Sequence, residues 1–164
     1  MYFWNIRKLK QQLINEGLTE IQLFYYVLIY IALSALSLEL LTYFPSTTEP
    51  NQWTYIESVI NFLIPILGTI AAFHANGGSS GTKFPERYFS IMFVACNRFL
   101  VLLIALAILR VGCLAIANRL VISAMQSSSF FDSMIYSCIW YAALYFYIAK
   151  NVGDVAKTSS VQQA

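Results

Sequence analysis

From residue 21 onward the chain is built of apolar runs, each close to the length needed to cross a bilayer, with polar turns between them. The runs cover roughly residues 21–44, 53–75, 88–109 and 133–149. A helix rises about 1.5 Å per residue, so about 20 residues cross the hydrocarbon core. Lipid offers no partner to backbone N–H and C=O groups, and a helix satisfies its own. The expected fold is therefore all-α: a four-transmembrane-helix integral membrane bundle forming one domain over residues 1–164. Composition agrees. Hydrophobic residues make up 59% of the chain and charged residues 11%, far from the roughly one quarter charged of a soluble domain.

Residues 2–16 carry a different pattern. Tyr2, Ile6, Leu9 and Leu13 recur at helical spacing, and Arg7, Lys8, Lys10, Gln11, Gln12 and Asn15 fill the other face. With Phe3 and Trp4 at its start, this segment predicts an amphipathic helix lying in the membrane interface. Gly17 ends it, and Thr19 with Gln22 has the spacing of a capping box for the next helix. About ten polar-rich residues separate the basic cluster from the first apolar run, so that run reads as a span and not as a cleaved signal peptide.

Turns separate the spans. Pro45 and Pro50 bracket the first, and Asn76 through Arg87 form a glycine-rich loop. Gln126 to Ser129 form the third. Pro65 stands mid-span, which lipid-embedded helices tolerate. The end of the third span is open: the helix stops near Leu109, or continues through the apolar stretch to Met125. The tail after Gly153 is small and polar, and fraying is expected there. Lys and Arg set the orientation. Arg7, Lys8 and Lys10, then Lys83 and Arg87, then Lys150 and Lys157 all fall on one side of a four-span chain. Both termini are therefore expected in the cytoplasm.

Two arginines, Arg98 and Arg110, interrupt the third run. Either they face protein or they mark where the membrane ends. Counted from Tyr88, Arg98 lies about 15 Å in and Arg110 about 33 Å in. Arg110 is then an outer-edge residue, within reach of head groups and of Glu39 and Glu57. A midplane arginine is costly and must face protein or water. On the second span Glu57, Asn61, Pro65, Gly68 and Ala72 share one face, small and polar like helix–helix contacts. The expectation is that Arg98 docks there, bonded to Asn61 and Glu57 with help from Asn97. Ala32, Ala35, Glu39 and Thr42 make a similar strip on the first span.

Chemistry-bearing constellations are sparse. The three cysteines, Cys96, Cys113 and Cys138, lie in apolar surroundings without CxxC or Cys/His spacing, so neither zinc nor a disulfide framework is expected. His74 is the one histidine and reads as a polar residue at the inner interface. No metal or cofactor is expected, and no enzyme activity. Net charge is +2 and scattered, which argues against nucleic acid. The loop Asn76-Gly77-Gly78-Ser79-Ser80-Gly81-Thr82-Lys83 lacks the Gly-Lys-Ser/Thr end of a phosphate loop. It offers backbone donors to an anionic head group or a cytoplasmic partner.

Asn76-Gly77-Gly78, Gly81, Phe84, Arg87-Tyr88 and the following apolar helix with Arg98 resemble a group of uncharacterised small bacterial inner-membrane proteins with an NGG-type cytoplasmic loop. The resemblance covers about residues 72–100. It implies a bacterial inner membrane and brings no activity. Two functions remain for a chain of this kind. One is a non-enzymatic membrane component that works with membrane lipid, through a homo-oligomer or a membrane or cytoplasmic protein partner. The other is a channel or transporter-like protein, or a membrane-perturbing defence or toxin effector, using Arg98, Asn61 and Glu57.

Overall fold

The structure, a computed structural model, describes residues 2–43, 52–120 and 130–162; the side chains of 40–43, 113–120, 130–134 and 162 lie outside that description. The expected turns at 45–50 and 126–129, and Cys113 and Thr42 as packing residues, fall outside it too. The described fold is all-helical: α1 (Ile6–Asn15), α2 (Glu20–Tyr43), α3 (Gln52–Ala75), a short 3-10 turn (Gly78–Ser80), α4 (Phe84–Leu120) and α5 (Phe130–Gln162).

Local signals in the sequence set the helix ends. The Asn5 side chain accepts the Lys8 N–H at 3.1 Å and opens α1. Glu16 and Gly17 both donate to the Gln12 carbonyl, and Gly17 turns out of the helix at φ +77°. Thr19 and Gln22 then form the reciprocal cap, with Gln22 N–H on Thr19 Oγ1 and Thr19 N–H on Gln22 Oε1, both at 3.3 Å.

Among the described residues, three helices are long and apolar enough to cross a membrane: Glu20–Glu39, Gln52–Ala75 and Phe84–Gly112. The fourth expected span lies within α5. Tyr136, Trp140, Tyr141, Tyr145 and Tyr147 lower its hydropathy, and its second half is amphipathic. The polar tail is helical as far as Gln162. α5 buries Val152, Val155 and Ser159, because its apolar positions meet α1 and α4 at helical spacing. α4 is likewise continuous through Arg110 to Leu120, and it starts four residues before the expected Tyr88.

α3 and α5 run side by side in the same direction. Glu57 meets Ser137, Gly68 faces Tyr145, and Ala75 approaches Gly153. A Cβ on Gly68 would sit 2.5 Å from the Tyr145 ring, so only glycine permits this approach. The small face of α3 is thus a helix–helix contact, as its residues suggest, but its partner is α5 and not α4. α4 runs the opposite way, from Phe84 against Phe73 to Phe99 against Trp140. α2 touches α4 through two ring pairs, Tyr26 with Phe93 and Tyr30 with Phe89. Its other strip, Ala32, Ala35 and Glu39, is exposed.

Burial is concentrated at one end, called the base below. Ile6, Leu9 and Leu13 of α1 pack with Tyr88, Ile91, Val94 and Ala95 of α4 and Ile148, Val152 and Val155 of α5. The expected amphipathic helix therefore exists. It buries its apolar face in protein, because α4 and α5 present a matching apolar surface there. Its opposite face exposes Arg7, Lys8 and Gln11.

Candidate functional site

Arg98 is half-buried on α4, and its bonds run to the N-terminus. Its Nε and Nη2 donate to the Trp4 carbonyl at 3.0 and 2.8 Å, and its Nη1 donates to the Tyr147 hydroxyl at 2.9 Å. The guanidinium also lies 5.7 Å from the Trp4 ring centroid, within cation–π range. Asn97 Nδ2 donates to the Phe3 carbonyl at 3.3 Å, and the Phe3 ring packs edge-on against Phe93. The Tyr2 N–H donates to the Tyr26 hydroxyl at 3.0 Å. Residues 2–4 are thus pinned directly to α2 and α4, and through Arg98 to α5.

The expected contact of Arg98 with Glu57 and Asn61 does not form. Glu57 accepts from Ser137 Oγ at 3.0 Å, and Asn61 Oδ1 is buried without a partner. The physical reason is the pairing of helices. α5 occupies the polar face of α3, which leaves Arg98 toward the end of α1. Arg110 is exposed on α4, and no ion pair joins it to Glu57 among the described residues; Glu39 is exposed on α2. Arg98 is therefore bonded away from Glu57 and Asn61, which share one face of α3.

The glycine-rich loop is a closed clasp. Asn76 is buried. Its Oδ1 accepts from Arg87 Nη1 at 2.9 Å, and its Nδ2 donates to the Thr82 carbonyl at 3.1 Å. Gly77 and Gly78 adopt φ +104° and +59°. Gly81 closes the turn so tightly that a Cβ there would lie 2.2 Å from the Asn76 carbonyl oxygen. Three of the loop's backbone donors are used internally. Gly77 bonds His74, Ser80 bonds Gly77, and Gly81 bonds Gly78. Arg87 is buried, so of the expected loop cations Lys83 is the exposed one.

Two further contacts tie α1 to this base. Lys10 pairs with Asp154 at 2.7 Å and donates to Asn151 Oδ1 at 3.2 Å. Glu86 accepts the Leu18 N–H just beyond Gly17. Sequence reasoning missed the Trp4–Arg98, Asn76–Arg87 and Lys10–Asp154 pairs. Each joins residues distant in sequence or across a tight turn, and helical periodicity carries no signal for such pairs. The nearest hint was the placement of Phe3 and Trp4 before α1.

Within the bundle, Tyr30, Pro65, Thr69, Tyr88 and Tyr145 line an open groove of about 350 Å³. Thr69 Oγ1 donates to the Pro65 carbonyl at 2.8 Å, so the Tyr88 hydroxyl donates to Thr69 at 2.7 Å. Cys96 and Cys138 are free thiols, each half-buried. Among the described residues, no group of three His, Cys, Asp or Glu side chains is placed to hold a metal.

In comparison with known proteins, no family model, no curated protein and no solved structure matches this chain.

Proposed function

We propose that the chain is a four-span integral membrane protein of a bacterial inner membrane, with both termini cytoplasmic. On this reading it is a non-enzymatic component that works by associating with a second copy of itself. The observation that carries association is the state of α2. This helix is apolar from Leu23 to Leu41 except for Ser34, Ser37 and Glu39; it touches α4 mainly through Tyr26 and Tyr30, and leaves Ala32, Leu33, Ala35 and Leu36 uncovered. Small residues at such spacing let two helices approach closely in lipid. The fourth span is supported by the course of α5, which follows α3 from Glu57–Ser137 to Ala75–Gly153. The channel reading needs Arg98 on one path with Asn61 and Glu57, and it is less favoured because Arg98 bonds Trp4 and Tyr147 while Glu57 bonds Ser137.

The test is native mass spectrometry of the protein released from lipid nanodiscs. A homo-oligomer that reverts to monomer in Ala32→Leu/Ala35→Leu supports the proposal. A monomer at every protein concentration, with and without the substitutions, refutes self-association.

A further inference from the structure

α2 and α3 stand apart. α2 meets the bundle at α4 through Tyr26 and Tyr30, and it hardly touches α3. The space between them is the open groove of about 350 Å³, at the lower end of the range of ligand pockets, about 300–1,000 Å³. Each of the four long helices contributes to it. α2 gives Tyr30, α3 gives Pro65 and Thr69, α4 gives Tyr88 and α5 gives Tyr145. Ile66 and Ile70 of α3 line it too. With Tyr30 they are exposed, so the mouth opens sideways onto the apolar surface of α2 and α3.

The hydroxyls in this groove are unequal. The Thr69 hydroxyl is spent on the Pro65 carbonyl, and the Tyr88 hydroxyl on Thr69. Tyr30 and Tyr145 lie within electrostatic reach of Tyr88 and of each other, and neither hydroxyl has a hydrogen bond among the described residues. The Tyr145 ring is fixed on Gly68, yet its hydroxyl is not sealed from the groove. A tyrosine hydroxyl held in an apolar layer normally finds an acceptor, because leaving it unpaired there costs free energy. The groove therefore presents two donors beside apolar walls, the complement of an acceptor carried on an apolar chain.

Depth decides which acceptor. Thr69 lies about 9 Å from the Ala75 end of α3, and the whole helix is about 36 Å long against a core of about 30 Å. On the four-span reading the donors lie a few ångströms inside the base-side edge of the hydrocarbon. Water and charged head groups stay outside that layer. The acceptor that lipid itself carries closest to this level is the ester carbonyl at the top of an acyl chain.

We infer that the groove binds one phospholipid of the base-side leaflet, with an acyl chain against Pro65, Ile66 and Ile70 and an ester carbonyl accepting from Tyr30 and Tyr145. Tyr30 belongs to α2 and Tyr145 to α5, so the lipid ties the loosely held α2 to the rest of the bundle. The inference rests on the membrane reading proposed above and adds a specific lipid site to it.

The test removes the carbonyl from the lipid and the hydroxyls from the protein. The protein is reconstituted in nanodiscs holding equal amounts of diester phosphatidylglycerol and its diether analogue, which has the same head group and chain length but no carbonyl. Native mass spectrometry then counts the lipids that stay with the released protein. The parent chain should keep one lipid per chain and prefer the diester. That preference should fall about fivefold in Tyr30→Phe and about fivefold in Tyr145→Phe, and vanish in the double variant. Phenylalanine keeps each ring and its packing. Tyr55→Phe, near the other end of α3, should keep the full preference. Equal retention of the two lipids by the parent chain, or a preference that survives in the double variant, overturns the inference and leaves the membrane reading standing. Failure of the protein to enter nanodiscs overturns the membrane reading itself.

Discussion

Replacing Arg98 with leucine should release the N-terminal segment without unfolding the bundle. The guanidinium makes two bonds to one carbonyl, Trp4 O, and a third to the Tyr147 hydroxyl. A hydrogen bond to a charged group contributes about 1.5–3 kcal/mol, and the two bonds to Trp4 share one acceptor and count as one. Partial exposure lowers each contribution. The Trp4 carbonyl also keeps the Ile6 N–H at 3.1 Å, so the substitution strands no acceptor. The net loss is therefore about 2 kcal/mol, localised to residues 2–6. Because 1.4 kcal/mol is tenfold in an equilibrium, local opening should rise about 30-fold. Hydrogen exchange in nanodiscs reads this directly at the Tyr2 amide, bonded to Tyr26, and at the Ile6 amide. Arg98→Lys keeps the charge, loses the fork and should fall between the two. Glu57→Gln should leave the same amides unchanged, since Glu57 bonds Ser137. Unchanged exchange in Arg98→Leu, or an equal effect of Glu57→Gln, would refute the assignment of Arg98 to the N-terminal clamp.

Other substitutions separate strong contacts from weak ones. Gly68→Val forces a side chain into the Tyr145 ring, now 2.5 Å from the position of its Cβ, and should cost about 1–3 kcal/mol in thermal unfolding in detergent; Tyr145→Ala in the same chain should recover part of it. Asn76→Ala removes the hydrogen-bond partner of a buried guanidinium and should cost about 2–3 kcal/mol, whereas Asn76→Ala combined with Arg87→Met should cost less than the two single changes together. Strict additivity in that double-mutant cycle would contradict the clasp. Leu9→Ala, in the middle of the base, should lose about 2–4 kcal/mol. Lys10→Ala should lose less than about 1 kcal/mol, because the Asp154 side chain is 48% exposed.

The helices were legible because each carries its own local signal. Gly17, Thr19 and Gln22 mark the break between α1 and α2 by chemistry that acts over a few residues, and the structure uses all three. The small face of α3 was legible as a contact surface for the same reason. Its partner was not legible, since Gly68 fits Tyr145 of α5 only through an approach that periodicity does not encode. The tail after Gly153 misled because its polar composition hides a buried strip, Val155 and Ser159, that continues from Val152 at helical spacing and is covered only by packing against α1 and α4. Arg98 misled through its partner: the Trp4 carbonyl that it bonds lies outside the helices that periodicity lines up, far away in sequence.

The central claim is that α3, α4 and α5 each cross one bilayer, and the side on which their ends lie tests it most directly. Single cysteines at Gln52, Ser79 and Ser160, all exposed, are placed in a chain with its native cysteines replaced by alanine. Right-side-out and inverted membrane vesicles are then labelled with an impermeant maleimide. Positions 79 and 160 should label only in inverted vesicles, and position 52 only in right-side-out vesicles. Labelling of 79 and 160 from opposite faces would show that α4 and α5 do not both cross, and would contradict the four-span account.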